Sequence, residues 1–262
     1  MRVLRENRMN KKLQSQIIFI VLMVVLWQIL YIMKLWPELL FPSVPQIGEA
    51  LLEAFTTREL GTMILHSLKL LITGLFAGVV LAFVLSSLFA INENLSAVYN
   101  MIVCMFDLIP GIALIPVAIL WLGIGDKAII FMVIHSVIWP MSRSIIDGFK
   151  AVPKIYLEVG RSIGLDGIRL VFGVFLPASF ERLFSGIKVG WARAWRGLIS
   201  AEMVFGGSAL GIGYFITDRR TNLDIAGIFA TIIVIVIIGI VVEYGIFRTV
   251  EKNTVVKWGM TH

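Results

Sequence analysis

Of the 262 residues, 58% are hydrophobic and 15% charged, and the mean hydropathy is +0.92. A soluble globular chain carries about 25% charged residues, so this composition excludes one and points to an all-α polytopic membrane protein. The net charge of +6 then reads as topology rather than nucleic-acid binding, and the lone Cys104 excludes an intrachain disulfide or a cysteine-based metal site.

Residues 1–16 set Arg2, Arg5, Arg8, Lys11 and Lys12 against Glu6, and an apolar run follows over 17–33. A signal peptide also begins with charge before an apolar run. Here, however, the run ends in the bulky Lys34-Leu35-Trp36-Pro37, which is no cleavage site. The reading is an uncleaved first span with a cytoplasmic N-terminus, and Tyr31 and Trp36 at the opposite interface. Pro37, Pro42 and Pro45 punctuate an external segment, 37–61. Within it Ile47, Leu51, Leu52 and Phe55 recur at helical spacing against Glu49, Glu53, Arg58 and Glu59, which predicts a short amphipathic helix on the outer face. The second span is free of charge over 70–91, and its Gly74 and Gly78 form a GxxxG that permits close helix contact.

The third predicted span, 98–122, holds Asp107, Pro110, Gly111 and Pro116; proline within a span needs neighbours or water to satisfy the freed carbonyls. A tight external turn over 121–126 leads to a fourth span, 128–146, with His135 and Pro140. A charged loop, 148–176, separates it from an unusually polar fifth span, 183–205. A glycine-rich external loop, 206–213, precedes the last span, 225–247. Six spans place both termini and the 148–176 loop on one side. That side carries twelve Lys and Arg in its inter-span segments against five on the other, the excess expected of the cytoplasm. The chain thus divides into a cytoplasmic segment 1–16, a transmembrane domain 17–247 and a cytoplasmic tail 248–262.

The 148–176 loop has its own punctuation. Pro153 is placed to start a helix, Gly164 to end it as the residue after the C-cap, and Asp166 to cap a second helix that ends or kinks at Pro177. Two short helices with a tight corner make a docking knob.

Glu158, Gly164 and Val174-Phe175-Leu176-Pro177 resemble the EAA loop of binding-protein-dependent ABC importer permeases, E-A-A-x3-G-x9-I-x-L-P. Val159 and Gly160 stand for the two alanines and Val174 for the isoleucine. The strings IPVAILWLGIGD at 115–126, AWRGLISAEM at 194–203 and Gly211-Ile212-Gly213-Tyr214 resemble the nitrate, sulfonate and taurine branch. The resemblance implies a type I importer fold and a bacterial inner-membrane location. It also implies a homodimeric pair of permease copies, two cytoplasmic ATPase subunits and an external substrate-binding protein. Glu158, Gly164, Leu165, Asp166 and Pro177 become the candidate ATPase-coupling residues. The chain has no Gly-Lys dipeptide and hence no Walker A loop, so no cofactor is expected in it and ATP would be bound by a partner.

Polar groups within spans are the candidate pathway residues. On the fifth span Lys188, Trp195 and Glu202 share one face at heptad spacing with Trp191 beside them, while Arg193, Arg196 and Ser200 lie on a flank. Sequence leaves open which face meets the pathway. It also leaves open whether Arg196 binds solute or pairs with Asp107 or Glu202. Asp107 and His135 read equally as buried helix-helix hydrogen-bonding groups. The excess of Lys188, Arg193 and Arg196 over Glu202 favours an anionic solute, whereas Trp191 and Trp195 would suit a ring or a cation. The rival class is a gradient-driven transporter or channel using Asp107, His135 and Glu202 as a proton relay, but no inverted repeat is evident. No catalytic pair suggests an intramembrane enzyme.

Overall fold

A computed structural model describes residues 2–57, 59–89, 92–205 and 210–257, without the side chains of 2–13, 93 and 256. Arg58, Gly206, Gly207, Ser208 and the basic side chains of the N-terminal segment therefore lie outside the described residues. All regular structure among these residues is helical: α1 (Arg2–Ile32), α2 (Val44–Thr56), α3 (Glu59–Phe89), α4 (Glu93–Asp107), α5 (Ile115–Leu122), α6 (Asp126–Lys150), α7 (Lys154–Ser162), α8 (Ile168–Ala178), α9 (Phe180–Phe205), α10 (Ile212–Thr221) and α11 (Ile225–Val255). Four helices are long and apolar enough to cross a membrane. The bent pairs α4–α5 and α8–α9 bring the spans to six when each is counted as one.

α6 is the centre. It is the most enclosed of the spans, with α3 on one flank and α9 on the other. Gly74 and Gly78 of α3 set the distance on the first flank. A Cβ on Gly74 would fall 2.6 Å from Val133 Cβ, and one on Gly78 2.8 Å from Val137 Cβ. The GxxxG therefore packs this chain's own helices together. α1 stands apart, its apolar window wholly unburied, as suits a helix whose neighbour is lipid. It is held near its C-terminal end, where Trp27 stacks on Phe41 at 4.2 Å and donates to the Pro42 carbonyl, and Gln28 accepts from the Val44 N–H.

α2 starts with a capping box, Ser43 with Gln46, and packs against α11. Of the predicted stripe Ile47 is buried and Leu51 partly so, with Ala54 beside them, whereas Leu52 is 68% exposed and Phe55 is exposed too. α3 begins at Glu59, earlier than its charge-free stretch indicated.

The third span is not continuous, as the sequence reading had it. α4 ends at Asp107, residues 108–110 are non-helical, and α5 leaves at 88° to α4. The cause is local. Pro110 has no N–H to donate and its ring clashes with a preceding helical turn, so α4 stops short of it, and Pro110 itself has an extended ψ of 128°. Pro116 disturbs nothing, because it occupies the first turn of α5, where no intrahelical donor is needed. At the other end of the chain, the last helix passes 247 without a break and runs to Val255 through two π-helical turns.

Candidate functional site

The break in the third span opens onto a cavity of about 430 Å3 between α4, the 3-10 turn Gly111–Leu114, α6 and α9. Non-helical backbone at membrane depth is tolerated where it lines a polar cavity, and Ile109 to Ile112 do so here. α6 contributes His135, Ser136 and Trp139. α9 contributes Arg193, Arg196, Gly197 and Ser200, spaced three and four apart on one face. Pro140 of α6 cannot donate to the Ser136 carbonyl, which removes one backbone bond beside the same wall.

The charges in this wall are unevenly matched. Asp107, with 12% of its side chain exposed, pairs with Arg193 Nη1 and, at 3.4 Å, with Arg143 Nη2. Arg196 has no carboxylate within ion-pair distance among the described residues, and its Nε donates to the Ala192 carbonyl at 3.0 Å. Both ring nitrogens of His135, itself 9% exposed, lack a partner among the described residues, as does Trp139 Nε1. The wall therefore offers one uncommitted guanidinium and several uncommitted ring nitrogens.

Of the residues singled out in the sequence, Asp107, His135, Arg193 and Arg196 meet here. Lys188, Trp195 and Glu202 do not. Lys188 turns to the other side of α9, where it pairs with Glu251 at 3.1 Å over the Phe184 ring. Trp195 is buried and stacked on Trp191. Glu202 is fully buried, accepting from Ser67 Oγ at 2.6 Å and from the Gly213 N–H at 2.9 Å. Their heptad spacing gave a common face, but that face meets protein instead of the cavity. Of the two readings left open for Arg196, the pairing with Asp107 or Glu202 is not the one the structure holds, since Arg193 and Arg143 are the partners of Asp107. Arg143 escaped the sequence reading, although His135, Trp139 and Arg143 recur every four residues along one side of α6. No three His, Cys, Asp or Glu side chains gather as metal ligands among the described residues.

The second candidate site is the loop after α6. α7 starts after Pro153 and ends in a Schellman motif: Gly164 takes φ 81°, its N–H reaches the Arg161 carbonyl, and the Leu165 N–H reaches that of Gly160. α8 then folds back over Gly160, whose missing side chain makes room for Leu170 and Val174. Asp166 does not cap α8. Gly167, at φ 52°, intervenes and precedes the helix without a side-chain cap, while Asp166 offers only its carbonyl, to the Arg169 N–H. Pro177 falls in the last turn of α8, just before the 79° corner into α9. Glu158 is exposed on α7 together with Ile155, Tyr156 and Val159, and Ile163 just after the helix is exposed too, a largely apolar surface.

Residues 74–255 match the family of the binding-protein-dependent transport system inner membrane component. The chain belongs to that family. Among similar permeases, the taurine transport system permease protein of Escherichia coli is 24% identical over 238 residues, 89% of this chain and 85% of its own length. The nitrate import permease protein of Synechocystis is 28% identical over 188 residues, 72% of this chain and 68% of its own. The bicarbonate transport system permease protein of Synechococcus elongatus is 26% identical over 156 residues, 60% and 56% respectively. This permease is thus a multi-pass membrane protein of the ABC importer class. The match takes in both candidate sites, since cavity and loop lie within 74–255.

Proposed function

We propose that this permease forms the pathway of an ATP-driven importer, and that the cavity at Asp107, His135 and Arg196 passes a small oxyanion. The observation that carries the solute class is Arg196, a permanently charged fork at the cavity wall with no carboxylate partner among the described residues. Arg193 and Arg143 are already committed to Asp107. Unpartnered His135 and Trp139 nitrogens add hydrogen-bonding capacity beside it. Taurine, nitrate and bicarbonate in the names of similar permeases fit the same chemistry. Trp191 and Trp195 stack on each other and neither lines the cavity, so the two residues that suggested a ring or a cation do not stand at this wall.

In this reading the exposed face of α7, with Glu158 and the fixed corner at Gly164, Leu165 and Asp166, docks onto a cytoplasmic ATPase subunit. Two such subunits, a second copy of the permease and an external binding protein complete the assembly, and ATP is bound by the partners. A proton relay through Asp107, His135 and Glu202 is disfavoured, since Glu202 is enclosed by Ser67 and Gly213 and lines no part of the cavity.

The test is reconstitution of the permease with its ATPase and binding protein, followed by uptake of taurine, nitrate and bicarbonate. Replacing Arg196 by Gln should cut uptake of the accepted anion by roughly ten- to a hundredfold, the worth of a hydrogen bond to a charged group. ATPase association should persist. Uptake at the wild-type rate would remove Arg196 from the pathway.

A further inference from the structure

A second cavity, of about 470 Å3, lies where α3 ends, α4 begins, α6 ends and α7 begins. Its wall is graded along the spans. Lys150 and Lys154 stand at the mouth, on the last residue of α6 and the first of α7. Ser86 lies three residues inside the end of α3, about 4.5 Å deeper at the rise of an α-helix. Phe89, Ile146, Phe149 and Phe175 supply apolar surface, and no carboxylate lines the cavity among the described residues.

Ser86 is the independent sign of a ligand. The residue is 1% exposed and among those that line the cavity, and its buried hydroxyl has no hydrogen-bond partner among the described residues. A buried hydroxyl left unpaired is costly, so an acceptor from outside the chain fits there.

We propose that this cavity holds one anionic phospholipid of the leaflet on the α7 side. Its phosphate would meet Lys150 and Lys154, an ester carbonyl would accept from Ser86, and an acyl chain would lie along Phe149 and Ile146. Cations above a donor above an apolar wall is the order of groups in a phospholipid read from its head inward. A free inorganic anion matches only the lysines. An acidic segment of a partner protein also matches the lysines but leaves the apolar wall and Ser86 unfilled. Basic residues at the end of a span attract anionic headgroups by the same electrostatics. The site lies at the helix ends, about 20 Å along α6 from the His135 level at 1.5 Å per residue, and is separate from the solute cavity.

The experiment uses the full-length permease in detergent, titrated with phosphatidylglycerol or phosphatidylcholine of identical acyl chains and read by native mass spectrometry. Phosphatidylglycerol should be retained preferentially. Lys150→Gln and Lys154→Gln should each weaken its retention about fivefold, the worth of one basic residue near an anionic headgroup. Ser86→Ala should weaken both lipids and leave the preference intact. Lys127→Gln, an exposed lysine at the opposite end of α6, should change nothing. Both cavity lysines are exposed, so their variants are expected to keep the wild-type melting temperature, which is measured alongside. Equal retention of the two lipids by the wild type overturns the proposal, as does undiminished phosphatidylglycerol retention in the double lysine variant. Displacement of phosphatidylglycerol by millimolar inorganic phosphate would instead make the cavity a small-anion site. Loss of a co-purifying protein from the lysine variants, with lipid retained, would make it a protein dock.

Discussion

Asp107, the last residue of α4, forms an ion pair with Arg193 of α9 that bridges 86 positions of the chain. With Arg143 of α6 as a second partner, it ties together three helices around the break in the third span. The carboxylate is enclosed while both guanidinium groups are more than two-fifths exposed. Solvent therefore screens much of the attraction, and the pair is worth about 1 kcal/mol instead of the several expected of a dry one. Asp107→Asn should lower the melting temperature of the detergent-solubilised permease accordingly. Arg196→Gln, which breaks no ion pair, should leave it unchanged. Equal destabilisation by the two variants would make Arg196 a structural residue.

The corner after α7 yields a second expectation. Gly164 adopts φ 81°, where a side chain costs about 1 kcal/mol, and valine, branched at Cβ, more. A Cβ there would meet no neighbour within 4 Å, so the penalty is backbone strain alone. Gly164→Ala should retain most ATPase association and Gly164→Val should lose it, both with normal insertion in the membrane. Co-purification of tagged permease with the ATPase measures this. Undiminished association of the valine variant would remove the left-handed corner from the docking role.

These two places differ in how far sequence alone reaches. The knob was legible because its signals are local: a proline before a helix, a glycine after it, and a fixed spacing to Pro177. Only the cap failed, since nothing in Asp166 itself foretold that Gly167 would insert a left-handed residue between it and α8. The cavity was half legible. Periodicity put Arg193 and Arg196 on one flank of α9, but which flank meets open space depends on how α9 lies against α6. The break at Pro110 was visible as a proline, whereas its 88° consequence was not, because hydropathy carries no direction. α10 was missed altogether. Only its first two residues fall in the stretch read as glycine-rich loop, 206–213, the other eight lie in a connection given no structure, and its start is held by Ser67 of α3 and Glu202 of α9.

Topology gives a third prediction. With Cys104 replaced by Ser, single cysteines at Thr56 and at Lys154, both exposed in this chain, should label from opposite sides of the membrane. The basic excess in the 148–176 loop and the termini motivates placing Lys154 in the cytoplasm. An impermeant maleimide added to intact cells should therefore react at residue 56 and, only after permeabilisation, at residue 154. Reaction at 154 in intact cells would invert the permease and detach α7 from any cytoplasmic ATPase.

The last prediction concerns Glu202, which fastens α9 to α3 and to the start of α10. Ser67 donates its hydroxyl to Glu202 Oε1 and accepts the Ile212 N–H at 2.9 Å, while Glu202 Oε2 accepts the Gly213 N–H. Every acceptor in this set is used by a donor, and the group is fully buried. Glutamine cannot replace it. If its NH2 faces Gly213, two donors oppose each other; if it faces Ser67, the serine hydroxyl loses its acceptor. Glu202→Gln should therefore destabilise the protein by about 1–3 kcal/mol, the cost of one buried polar group left unsatisfied. Gly213→Ala should force the start of α10 off α9 sterically, since a Cβ there would run into the Ile199 carbonyl and fall 2.7 Å from Glu202 Cβ. Ser67→Ala combined with Glu202→Gln should cost less than the two single changes added, because the pair shares one network. Thermal unfolding of the three single variants and the double variant measures all of this. A Glu202→Gln variant with unchanged stability and impaired uptake would contradict the latch and return Glu202 to the solute pathway.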